Sequence, residues 1–190
     1  MQRRKMMAGL VMGAAALMLG ACTTTPQTPV DKAAKRTEIN NSYDAALNKL
    51  YASAPSSREL VSRARGVLVF PNVLAAGLGV GGEYGDGALK VGNRTEGYYR
   101  TISGSFGLQI GAQSKAVILL FMTQDSLDKF VASKGWTAGV DASVAVAKIG
   151  ANGDIDTNTI RQPVIGFVVT NAGLMANLTV EGTKITRLDL

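Results

Sequence analysis

Gly77-Leu78-Gly79-Val80-Gly81-Gly82-Glu83-Tyr84-Gly85-Asp86-Gly87 is the stretch that decides which fold this chain can adopt. Glycine costs a helix about 1 kcal/mol per position relative to alanine, so a run this rich in glycine cannot be helical. Residues 77–82 satisfy G-x-G-x-x-G, but a dinucleotide site needs that motif between a strand and a helix whose N-terminus faces the pyrophosphate. Glu83 to Gly87 cannot start such a helix. Strands tolerate glycine at bends, bulges and close sheet contacts, and the stretch is therefore read as strand.

Working outward, glycines recur downstream at 92, 97, 104, 107 and 111, separated by Leu89, Val91, Tyr98, Tyr99, Ile102, Phe106, Leu108 and Ile110. A first strand is expected within Gly66-Val67-Leu68-Val69-Phe70-Pro71, then strands near 77–84, 87–92, 95–102, 104–112 and 114–122. Lys115 to Met122 is apolar on both faces and reads as the central strand, covered on each side. Between Thr123 and Gly135, Leu127, Phe130 and Val131 form the stripe of a helix, and Trp136 is expected to pack against it. Val140, Ala142, Val144 and Val146 alternate with period two, Gly150 to Asp154 form a loop, and strands follow at Val164–Thr170, Leu174–Glu181 and Lys184–Leu190. Turns this short join antiparallel strands, because a parallel pair needs a crossover of a dozen or more residues. The fold class is therefore α+β: a curled, mostly antiparallel sheet, barrel-like where it closes, with an N-terminal amphipathic helix, a short second helix and one helix inserted near 125–134.

Upstream, Ile39, Tyr43, Ala46, Leu47 and Leu50 recur three and four apart, predicting a helix over Lys32–Tyr51 with one buried stripe. Lys32, Lys35, Arg36 and Lys49 are read as its polar surface, diluted by Glu38 and Asp44. Pro55 ends that helix. Ser56 and Glu59 read as the capping box of a short second helix running to about Arg65, and Gly66 stops it.

The first residues have a different character. A basic stub (Arg3, Arg4, Lys5) precedes the apolar run Met6–Leu19, the pattern of an export signal, and the run is shorter than a spanning helix requires. Leu19-Gly20-Ala21-Cys22 resembles a bacterial lipobox, with Cys22, the chain's single cysteine, as the lipidated residue. The polar, proline-containing segment Thr23–Pro29 then reads as a tether. This divides the chain into a signal peptide (1–21), a lipidated tether (22–31) and one domain (32–190). Thr rather than Asp at position 23 favours the outer membrane, with the domain facing the periplasm or the surface. The formal net charge of +6 includes three basic residues of the leader, so the remainder carries +3, too little to argue for nucleic acid.

Several chemistries fail on composition. The chain has no histidine, and a lipidated Cys22 is no ligand or nucleophile, which excludes the commonest zinc sites and the histidine-based triads. Asp154, Asp156 and Asn158 resemble the start of a calcium loop, but its sixth and twelfth places, glycine and glutamate in an EF-hand, are Thr159 and Ile165. No metal or cofactor is expected. Glu83, Tyr84, Asp86 and Asp141 are the first residues to examine for an active site, yet nothing in the sequence sets them across a cleft, and the chain is not read as an enzyme.

The segments Gly66–Pro71, Gly77–Gly87, Gly97-Tyr98-Tyr99, Ser105–Gln113, Phe121-Met122-Thr123, Gly135-Trp136 and Gly173–Ala176 resemble the SYLF domain family in order and wording, over roughly residues 35–190. The resemblance implies a noncatalytic lipid-binding domain whose basic N-terminal helix meets membranes. It casts Lys32, Lys35, Arg36 and Lys49, with Arg58 and Arg63 nearby, as contacts to lipid phosphates. A concave apolar pocket lined by Tyr84, Phe106, Leu108 and Trp136 is expected if the domain takes up lipid. The expected partners are membrane lipids, anionic ones foremost, or proteins of the cell envelope; actin is not expected in a periplasm. A structural or protein-interaction lipoprotein without specific lipid recognition is the alternative.

Overall fold

The computed structural model describes residues 28–107, 113–147, 155–175 and 180–190. In chain order the elements are α1 (Pro29–Ser53), α2 (Ser57–Arg63), β1 (Gly66–Val91), β2 (Arg94–Gly107), β3 (Gln113–Phe121), α3 (Gln124–Ala132), β4 (Trp136–Thr137), β5 (Ala145–Val146), α4 (Thr157–Ile160), β6 (Val164–Thr170), β7 (Gly173–Leu174) and β8 (Lys184–Leu188). Along the sheet the order is β4-β8-β2-β1-β3-β6-β5, with β7 paired to β6. Among the described ladders the short β5–β6 one is parallel and the rest are antiparallel. This is a curled half-barrel with one long helix laid over it, as the alternation and short turns predict.

The long β1 organises the sheet. A straight strand of 26 residues would reach roughly 85 Å, about twice the diameter expected for a domain of this size, so it must bend. Residues 66–75 pair with β3, residues 79–91 pair with β2, and the register shifts between Phe70 and Val73. The two halves press together at Gly87, where an added Cβ would collide with the Val69 carbonyl and lie 2.6 Å from the Phe70 ring. Expected breaks within 66–92 and within 95–107 are therefore absent: the glycines let one strand curl over itself instead of ending several. Gly92, at φ +59°, turns β1 into β2.

Two cores lie on the two faces of the sheet. On one, Ile39, Tyr43, Ala46 and Leu50 of α1 and Leu60 of α2 cover Val69, Ala88, Ile118, Leu120, Ile165 and Phe167. On the other, Leu127 and Phe130 of α3 and Trp136 cover Leu68, Phe70, Leu89, Tyr99, Leu119, Phe121 and Val168. β3 is buried on both faces, as its sequence requires, though β1 holds the middle of the sheet. Trp136 meets the Phe130 ring edge-on at 5.5 Å, as expected.

Local chemistry moves some boundaries. α1 starts at Pro29, earlier than Lys32, because Thr28 and Asp31 form a capping box: the Asp31 N–H donates to Thr28 Oγ1 (3.2 Å) and the Thr28 N–H to Asp31 Oδ2 (3.0 Å). The expected box at Ser56 does not form. Ser56 has helical backbone angles and no side-chain cap bond. The alternating strand expected over Val140–Val146 shrinks to Ala145–Val146, since the Thr137 N–H donates to Asp141 Oδ2 (2.6 Å), a local bond that competes with a ladder. Val140 is left 79 % exposed. The loop expected over Gly150 to Asp154 lies outside the described residues; a turn of helix, α4, follows Asp156.

Candidate functional site

The buried stripe of α1 begins further back than its apolar residues. Lys32, Arg36, Ile39, Tyr43, Ala46 and Leu50 recur at alternating steps of four and three, so the first two prolong the sheet-facing side. Their charges consequently meet the sheet and the chain's last residues. Lys32 Nζ lies 2.7 Å from Asp189 Oδ2, and Lys35 Nζ lies 3.1 Å from Glu38 and 3.7 Å from Asp86. Arg36 lines a cleft of about 390 Å³ with Glu96, Tyr98, Arg187 and Asp189. The outward face is Ala34, Asn41, Ala45, Asn48 and Ala52, all exposed. Arg36, Glu38, Asp44 and Lys49 are exposed as well, whereas Lys32 and Lys35 are half-buried in their ion pairs.

The other expected cations lie near the far end of α1 and on α2. Lys49 donates to Asn171 Oδ1 (3.2 Å), Arg58 stacks over the Tyr51 ring at 4.3 Å, and Arg63 pairs with Glu59 at 3.3 Å. All three side chains belong to exposed residues. The sequence-predicted set is thus split between the two ends of α1, with Lys32, Lys35 and Arg36 at one and Lys49, Arg58 and Arg63 at the other.

The densest polar cluster is on β1 and β2. Asp86, with its side chain 5 % exposed, accepts from Arg100 Nε (2.8 Å) and Nη2 (3.2 Å) and from the Tyr84 hydroxyl (3.2 Å). The Arg100 guanidinium also lies 4.8 Å over the Tyr84 ring. Bonding to Asp86 holds Arg100 above its ordinary pKa; burial first, then the Asp86 charge, raises Tyr84. Period-two alternation puts Tyr84 and Asp86 on the face that α1 covers. Glu83 points to the opposite face, where it pairs with Lys115 at 2.6 Å and accepts from Ser103. Glu83 and Asp86 therefore cannot share a substrate, and Asp141 is occupied by the Thr137 N–H.

The expected pocket of Tyr84, Phe106, Leu108 and Trp136 is not one site. Trp136 is 2 % exposed in the α3-side core, whereas Tyr84 sits across the sheet beside α1. Leu108, the Phe106 side chain and Cys22 lie outside the described residues. A cleft of about 480 Å³ lies between α1, α2 and the β1–β2 turn, lined by Tyr43, Asp44, Leu47, Val61, Ser62 and Lys90 among others. Lys90 lies 4.0 Å over the Tyr43 ring and 3.3 Å from Asp44. Among the described residues no group of three or more acidic, histidine or cysteine side chains could hold a metal ion, and no helix is long and apolar enough to cross a membrane.

Beyond Asp86, strands and helix leave an apolar strip uncovered. Leu74 (53 % exposed), Tyr84 (44 %) and Ile102 (52 %) line it, with Tyr84 directly opposite Ile102 and Ile102 directly opposite Lys184. Leu74, Ile102, Arg100 and Lys184 did not stand out in the sequence. The alternation of 98, 100 and 102 against 84, 86 and 88 was the signal that could have found most of them.

Residues 102–189 match the model of the Ysc84 family, described as Las17-binding protein actin regulator. The match begins within β2 and runs to the end of β8. No curated protein matches the chain. The family description is of a protein that binds and regulates, in agreement with a noncatalytic reading. It also corrects two expectations. A family of actin regulators overturns the exclusion of actin as a partner, and because actin regulation belongs to the cytoplasm it overturns the outer-membrane, periplasm-facing location.

Proposed function

We propose, from the membership of residues 102–189 in the Ysc84/SYLF domain family, that this chain is a noncatalytic, lipid-associated binding module. The family match carries the reading. At the finer level the domain recognises anionic phospholipid, residues 1–21 serve as a leader, and Cys22 carries a lipid anchor. Exposed Arg36, Lys49, Arg58 and Arg63 supply cationic groups, each contributing on the order of 1 kcal/mol near an anionic surface. A lipoprotein cysteine carries three acyl chains, and two or more hold a protein firmly at a bilayer, so contacts by the folded domain set its orientation rather than its residence.

Co-sedimentation of residues 23–190 with phosphatidylcholine vesicles and with equimolar phosphatidylcholine and phosphatidylglycerol vesicles tests the lipid reading. Retention on the anionic vesicles, weakened by salt, is expected; absence from both pellets would falsify it. Mass spectrometry of the peptide containing Cys22 from the native protein tests the anchor, an unmodified thiol being the contrary result. The description Las17-binding favours a second reading in which the surface takes a protein partner, and retention that ignores lipid charge favours it over the first.

A further inference from the structure

We propose that the strip Leu74–Tyr84–Ile102, rather than α1, is where the domain touches an anionic bilayer; this rests on the lipid-associated reading and gives it a location. Three observations converge on it. These are large apolar side chains left about half exposed on neighbouring strands, whereas the exposed residues of α1 are mostly alanine, asparagine and charged side chains, with Val30 at its start the one large apolar side chain exposed. The strip also has a cationic rim. Arg100 is 34 % exposed, Lys35 is 32 % exposed, and Lys184 is exposed opposite Ile102. Against them stand Glu38 and an Asp86 carboxylate only 5 % exposed, so the charge that the strip shows outward is positive. An apolar patch with such a border suits acyl chains beneath a layer of phosphates.

Chain length supplies the third observation. Five residues lie between Cys22 and Thr28, a span of at most about 20 Å when extended. Lys35, which borders the small cleft containing Leu74 and Tyr84, follows after roughly 10 Å of helix. A lipid on Cys22 therefore keeps this end of the domain close to the bilayer, while Asn171, beside the other end of α1, is held further off.

The test uses the full chain with Cys22→Ser and an environment-sensitive fluorophore on Ile102→Cys. Parallel labels are placed at Asn48→Cys on the outward face of α1 and at Arg58→Cys on α2. On equimolar phosphatidylcholine and phosphatidylglycerol vesicles the label at 102 is expected to shift to the blue and be quenched by spin-labelled acyl chains. The labels at 48 and 58 should stay in water. Adding Leu74→Asp should cut the fraction of label 102 in contact about tenfold, with Leu74→Thr as the milder variant and circular dichroism confirming the fold. A shift at 48 or 58 with none at 102 overturns this location and leaves the lipid reading standing. No shift at any position overturns both. A shift at 102 that grows with protein concentration, without vesicles, overturns the proposal by making the strip a contact between copies of the chain.

Discussion

At Gly87 there is no room for a methyl group between β1 and the Val69 carbonyl, whereas nothing lies within 4 Å of the same position on Gly104. Gly87→Ala is expected to destabilise the domain by about 1–3 kcal/mol and Gly104→Ala to change it by less than about 0.5 kcal/mol, both read from urea melts. Asp86→Ala removes the partner of a partly buried arginine; because Arg100 is one-third exposed, the loss should be about 2 kcal/mol rather than the 3–5 of a fully buried pair. Asp31, bonded to Thr28, and Asp189, bonded to Lys32, both titrate below the ordinary 3.8. Their folded pKa values are depressed, so their contribution is complete above 3.8 and is lost as pH falls through the lowered values. The first turn of α1 should therefore fray in acid while the core holds, visible as faster amide exchange at Asp31 and Lys32. Titration of these carboxyls at the ordinary value would contradict it. At this scale the sequence was readable where one residue acts alone, as at Trp136. It was unreadable where a partner came from far along the chain: Lys32 meets Asp189, and nothing local to either shows that.

Helices and strands were legible wherever apolar spacing was regular. Ile39 to Leu50 placed α1, Leu127 to Val131 placed α3, and the unbroken run in β3 gave a strand covered on both faces. Glycine misled the reading of strand ends, because its tolerance in a sheet looks the same in sequence whether a strand stops or bends. Which way the charges of α1 face was harder to read: Lys32 and Arg36 share the period of the buried stripe, and only Asp189, far along the chain, shows that Lys32 turns inward. Trp136 offers an element-level check. It is the chain's single tryptophan, enclosed with Phe121 and Phe130, so its emission should be blue, shielded from iodide and unchanged by vesicles. A vesicle-induced shift would contradict that enclosure. Trp136→Ala should cost about 3–5 kcal/mol by opening the core between α3 and the sheet.

Across the whole molecule, fold class was legible but strand order was not. Alternation shows that strands exist and short turns show that neighbours run antiparallel; nothing in them places β8 beside β2 or β6 beside β3. Those ladders join residues far apart in sequence, and only the closed packing of both faces selects them. The candidate site suffered most from this, since Leu74, Tyr84, Ile102 and Lys184 come from β1, β2 and β8. The doubled role of β1, ladder partner to β2 along one stretch and to β3 along another, sets how the chain comes apart. Cleaving the backbone at the Gly92–Asn93 turn yields one fragment with β1 and no neighbour, and a second in which β8–β2 and β3–β6 face each other across a missing strand. Neither should hold a native circular dichroism signal alone, and each exposes unpaired edges prone to clumping. Mixed in equal amounts they should restore it, with a midpoint that depends on concentration. Residues 102–189, although they carry the family's signature, would by the same reasoning be unable to fold without the strand that precedes them.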